Sequence, residues 1–224
     1  MRLDLRLLGL TVVAASVDAL SYLGLGHVFP ANMTGNTVLL ALGLATGDHG
    51  ASQRSAVALG AYVVAAAVMG RWPSDGTWDR PLTASLVAEL ALLVAFCAWW
   101  LVLGERPSDA PRFGLIALAG ASMGLQSSAV GRLGVTAVST TYITGTWTAF
   151  AGGIGERLGR VPRGQRSSDG HALGLHGGIV ACYLLAAFVA ALVHHLAGAV
   201  ASVVPVGLLV VVLLSLLARR GALR

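Results

Sequence analysis

Apolar residues run along this chain in eight long stretches separated by short polar or glycine-rich segments, at roughly 6–26, 31–47, 55–71, 82–104, 113–131, 142–155, 173–196 and 199–218. Leu, Ala and Val follow one another in them without the strict alternation of a membrane β-strand. The pattern therefore predicts α-helices, which satisfy their own backbone amides in lipid. Most stretches approach the ~20 residues that a hydrocarbon core requires, whereas the second and sixth are nearer ~15 and read as half-length or re-entrant. The fold class expected is all-α: a polytopic transmembrane helical bundle of eight apolar helices, two of them short, with six to eight spanning.

The two short stretches occupy matching places. In the first half, VDALSYLGLGHVFPANMTGNTVLLALG leads from a helix bearing Asp18 through a turn into Thr34-Gly35-Asn36. In the second half, GLQSSAVGRLGVTAVSTTYITGTWTAFAGG repeats that plan, with Gln126 near the place of Asp18 and Thr144-Gly145-Thr146 at the place of the first triplet, 110 positions on. Either pair of Thr and Gly alone would be noise. Two, each opening a short apolar segment, point to an internal duplication, with residues 1–104 and 105–224 as two membrane repeats of one integrated domain.

Composition narrows the class further. The 224 residues are 56% hydrophobic and 11% charged, with a mean hydropathy of +0.77, more apolar surface than a soluble domain can hide. The first stretch follows two arginines as a signal peptide would, but the rest of the chain is equally apolar, so it reads as an uncleaved first span. The formal charge of +5 comes from 15 arginines and no lysine against 10 acids. The arginines are spread between apolar runs with no basic patch, and no nucleic-acid partner is expected.

Arginine placement tests topology through the positive-inside tendency. With eight crossings, Arg71, Arg80 and Arg132 lie outside; with six, Arg54, Arg106 and Arg112 do. Either way 12 of the 15 fall inside. Both termini are thus expected in the cytoplasm, while a parallel four-plus-four and an inverted three-plus-three repeat remain equally allowed. The long polar segment from Arg157 to His171 reads as a cytoplasmic loop that sets orientation, or one that meets anionic headgroups.

Several residues carry candidate chemistry. Asp18 lies near the middle of a span, where an ionisable group costs at least ~2.5 to 3.5 kcal/mol on insertion scales. It reads either as a proton or cation relay or polar-substrate contact, or as a structural hydrogen-bond partner of the turns. Glu89, a third of the way along the fourth stretch, reads as a helix-pairing carboxylate or, with Asp18, as part of a candidate ion path. Pro30, Asn32, Thr34 and Gly35, and Thr141, Thr144 and Gly145 in the other half, suit helix starts whose partial positive charge would face the interior. Two such starts could cradle a polar or anionic group, with Asn36, Thr146 and Gln126 beside them, or could merely satisfy backbone at a helix break.

Other features read as structural. Gly43 and Gly47, Gly120 and Gly124, and Gly174 and Gly178 have the spacing that lets helices approach closely. Gly120-Ala121-Ser122-Met123-Gly124 has the form of a hydrolase elbow with His176 as an imaginable base, but it lies within an apolar helix and not at a strand-to-helix turn. Trp72, Trp78, Trp99 and Trp100 stand near segment ends as an aromatic belt would, and His194 and His195 as interfacial side chains. Cys97 and Cys182 read as small buried thiols. No cofactor or metal is expected.

VDALSYLGLGHVFPANMTGN, GLQSS and TTYITGT together resemble the YoaK-like family of bacterial integral membrane proteins, a domain of unknown function. The resemblance covers nearly the whole chain and implies a bacterial plasma-membrane location with about six spans. It carries over no activity. By position, Asp18, Asn32, Thr34, Gly35, Asn36, Gln126, Thr141, Thr144 and Gly145 are this chain's versions of the family motif. The leading functional expectation is a transporter or permease-like protein for a small polar or anionic solute, with no enzymatic activity. A non-transporting membrane scaffold or assembly protein is the alternative, and an intramembrane serine enzyme a remote one. Lipid bilayer and a small solute are the expected partners, with oligomerisation left open.

Overall fold

The computed structural model describes residues 2–71, 80–104, 107–133, 141, 143–159 and 170–221. They form helices α1 (Arg2–Gly24), α2 (Met33–Thr46), α3 (His49–Gly70), α4 (Arg80–Leu103), α5 (Asp109–Gly131), α6 (Ile143–Leu158), α7 (Gly170–Ala197) and α8 (Val203–Gly221), with a 3-10 turn, Gly198–Ser202, between the last two. Each matches one apolar stretch. The largest departure is α3, which starts at His49 and not near 55, because Asp48 caps it by accepting the Ala51 N–H at 2.9 Å and so adds a polar first turn.

Hydrogen bonds between helices fix the direction of each. Asp4 meets His171 at 3.2 Å and Asp18 meets Tyr183 at 2.7 Å, so α1 and α7 run parallel. Arg6 donates to the Ser215 carbonyl at 2.9 Å, so α8 runs back against α1. The apolar run Gly170–Ala218, 49 residues long, is about 74 Å of helix at 1.5 Å per residue and is therefore two crossings, folded at Gly198. Cys97 accepts from Ser202 at 3.3 Å, which places the end of α4 at that fold, and Ser85 reaches the Leu125 carbonyl at 3.4 Å, so α5 is antiparallel to α4. Ser128 reaches the Ala66 carbonyl at 3.3 Å, and a Cβ on Gly120 would lie 2.9 Å from the Ala58 carbonyl, so α3 lies tightly along α5 and parallel to it.

The short helices do not cross. α2 begins beside Asp18 and ends at Thr46, and its successor α3 starts at the end of the bundle where α1 finishes, since Arg54 bonds the Gly26 carbonyl. α6 begins beside Ser127 near the end of α5 and runs to Arg157, which lies against Gly170 at the start of α7. Among the described residues the chain therefore makes six crossings, α1, α3, α4, α5, α7 and α8, successive ones in opposite directions, with the short α2 and α6 as returns.

Helices α1 and α5 are the most enclosed. Leu7, Leu10, Val13, Ala14, Val17 and Leu20 of α1 and Leu115, Ile116, Ala119 and Met123 of α5 belong to one buried core. The principal interfaces are α1 with α7 and α8, α5 with α3 and α4, α2 with α3, α6 with α7, α4 with α8, and α1 with α5. Exchanging the first four helices for the last four maps every one of these interfaces onto another or onto itself. Because α1 and α5 run in opposite directions, that exchange is also an inversion across the membrane.

Candidate functional site

The first return loop carries non-helical backbone into the bundle, where each amide and carbonyl needs a partner because lipid supplies none. Gly26 (φ +91°) and His27 (φ +62°) turn the chain sharply after α1. Asp18, 4% exposed, accepts the Ala31 N–H through Oδ1 at 2.7 Å. Asn36, fully buried, closes both sides of Phe29: its Oδ1 accepts the Phe29 N–H at 3.0 Å and its Nδ2 donates to the Phe29 carbonyl at 2.6 Å. Asn32 caps α2 by accepting the Gly35 N–H at 3.1 Å, and Arg54 Nε donates to the Gly26 carbonyl at 2.9 Å. Pro30 precedes this cap and is not in the helix.

The second return has the same register. Thr141, 2% exposed, donates to Ser127 Oγ at 2.9 Å, so the residue two places before the short helix is tied to the preceding span here too, through its side chain where Ala31 uses its backbone N–H. Thr34 and Thr144 are exposed, Gly35 and Gly145 half-buried, and Asn36 and Thr146 fully buried. The side chain of each triplet that enters the protein is the third, not the threonine that opens it. Gln126 lies not on the turn but on the span, where its Nε2 donates to the Leu10 carbonyl at 3.0 Å and joins α5 to α1.

A groove of about 320 Å³ opens where the first loop meets α1 and α7. It is lined by Ala15, Asp18, Ala19, Tyr22 and Leu23 of α1, Phe29 of the loop, and Tyr183, Ala187 and Ala191 of α7. Tyr183 donates to Asp18 Oδ2 at 2.7 Å, so both carboxyl oxygens accept, with the Asn32 N–H also bonding the carboxyl. Tyr22 and Phe29 stack with ring centroids 4.9 Å apart at one end. Of the residues expected at a shared site, only Asp18 lines this groove. The two short helices find their main partners in different spans, α2 in α3 and α6 in α7. Tyr183 and Arg54 are the residues that sequence reasoning missed. A tyrosine inside the seventh apolar stretch was the available signal for the first, while nothing in the sequence pointed from Arg54 to Gly26.

Glu89 stands away from the groove, in the buried stripe of α4 between Leu86 and Leu93, fully buried and with neither carboxyl oxygen hydrogen-bonded among the described residues. Ser122 is fully buried in mid-helix and donates to the Ala119 carbonyl at 2.8 Å, so the turn that an elbow nucleophile needs is absent there. Trp100 is a core residue and not part of a belt: it is fully buried against Phe96, with ring centroids 5.2 Å apart. Trp72 and Trp78 lie outside the described residues.

Six apolar crossings with polar side chains holding irregular backbone inside the bundle define a multi-pass α-helical integral membrane protein. The chain belongs to the family described as "Protein of unknown function (DUF1275)", whose profile matches residues 6–215. It is 35% identical over 152 residues to the UPF0700 transmembrane protein YoaK of Bacillus subtilis (strain 168), an alignment that spans 66% of this chain and 66%, just under two thirds, of that relative. No solved structure matches it significantly.

Proposed function

We propose that this protein is a small transporter or permease-like protein of the bacterial plasma membrane, with both termini cytoplasmic, and that its solute enters at the groove beside Asp18. The observation that carries the reading is a buried carboxyl at a helix break, facing a cavity large enough for a small molecule. Intramembrane ionisable residues and broken helices recur together along solute pathways. Glu89 is assigned to the same ion path, as a carboxyl that a purely structural core would not retain without a partner.

The scaffold reading draws on a different observation. Asp18, Asn32 and Asn36 all spend hydrogen bonds on the return loop, which is what residues that only lock the fold would do. Flux separates the two. Purified protein in liposomes, screened with a panel of cationic, neutral and anionic solutes, is expected to move at least one class above empty liposomes, and Ala187→Leu, which fills the groove, to stop it. Silence across the panel, or flux indifferent to Ala187→Leu, would sink the transporter reading.

A further inference from the structure

We infer that the groove between α1 and α7 takes a small amphipathic amine in its ammonium form, seated on the Asp18 carboxylate with its apolar body along the alanine walls. This substrate class rests on the passage reading above. The groove volume of about 320 Å³ lies at the small end of the roughly 300 to 1,000 Å³ of ligand pockets. Its walls are two alanine pairs one helical turn apart, Ala15 with Ala19 and Ala187 with Ala191, whose short side chains leave a slot between the helices. Tyr22 and Leu23, 38% and 50% exposed, mark its mouth at the edge of the bundle.

The chemistry selects the charge. Both Asp18 oxygens act as acceptors, one from Ala31 N–H and one from Tyr183 O–H, and an ionised carboxylate offers about four acceptor positions. The Asn32 N–H bonds the carboxyl as well, so about one of the four positions stays open to a further donor. An ammonium supplies donors and is drawn to the faces of nearby aromatic rings, here Tyr22, Phe29 and Tyr183. A carboxylate or phosphate supplies no donor and meets like charge, and among the described residues no Arg, Lys or His lines the groove to offset it. The anionic solute expected from the two helix starts is thus disfavoured at this position.

Hexylammonium, hexanol and hexanoate, added to the purified protein in dodecyl maltoside, test the assignment through the melting temperature read by tryptophan fluorescence. A saturable rise is expected with hexylammonium alone, and Ala187→Leu is expected to weaken its apparent affinity at least tenfold while melting normally without probe. Ala191→Leu repeats the measurement should the first variant not fold. An equal rise with hexanoate, no rise with hexylammonium, or a rise unaffected by either leucine would overturn the inference. So would added phosphatidylethanolamine that reproduces the rise and removes the response to hexylammonium, since a lipid headgroup would then be the occupant. The two readings fail separately: hexylammonium binding by a protein that moves no solute of the panel removes passage alone, whereas flux blocked by Ala187→Leu with no amine response removes the amine alone.

Discussion

Tyr183 and Asp18, 165 positions apart in the sequence, are joined by a 2.7 Å hydrogen bond that ties the seventh helix to the first and holds the carboxyl against the return loop. Tyr183→Phe should lower stability by about 1 kcal/mol, the scale of hydrogen bonds between membrane helices. Asp18→Leu should cost more, because it also strands the Ala31 N–H. A double-mutant cycle on detergent melting would show the coupling. Strict additivity of the two losses would mean that the bond contributes nothing.

Burial in the two triplets predicts which position matters. Asn36→Leu leaves both the N–H and the carbonyl of Phe29 without partners and should cost roughly 2 to 6 kcal/mol, at about 1 to 3 per orphaned group. Thr34→Val and Thr144→Val change exposed hydroxyls and should stay within about 0.5 kcal/mol of the parent. Melting curves that rank the threonines above Asn36 would reverse this assignment.

Glu89 interrupts an apolar stripe and has no hydrogen-bond partner among the described residues. Replacing it with leucine should raise the melting temperature, by the equivalent of about 1 to 4 kcal/mol, as removal of poorly compensated buried charge does elsewhere. The same variant should lose solute flux. A lower melting temperature would show that the carboxyl is structural after all.

Six crossings place His49 and Ser108 at one face of the membrane and Gly159 at the other. In a background with Cys97 and Cys182 replaced, cysteines at the first two positions should react with an impermeant thiol reagent in intact cells, and Cys substituted for Gly159 only after lysis. Labelling of His49→Cys and Gly159→Cys from one side would contradict the two returns.

The helices were legible because membrane burial is written locally: about twenty apolar residues in a row announce a crossing wherever they pack. Thus α2 at 33–46 lies inside the stretch read as 31–47, and α6 at 143–158 begins where the apolar run does. The site was legible only in part. Asp18, Asn32 and Asn36 stood out as polar groups near a break, but the depth of each triplet residue depends on how the loop folds back, which no local pattern encodes. Trp100 shows the same limit. Its place near a segment end resembles that of a belt residue, yet the face it occupies points into the core. The counts of arginines were indifferent between six and eight crossings, and only the bond from Arg54 to Gly26 and the neighbours of α6 separate them.

The interfaces survive exchange of the two halves while every helix reverses its direction. A body of that kind presents the same pairing of helices whichever way up it is inserted, so the pairing alone has little to say about which end faces which side of the bilayer. By the positive-inside tendency that decision is expected to fall to the guanidinium groups that differ between the ends. Neutralising a few of them should leave the protein well folded yet facing both ways.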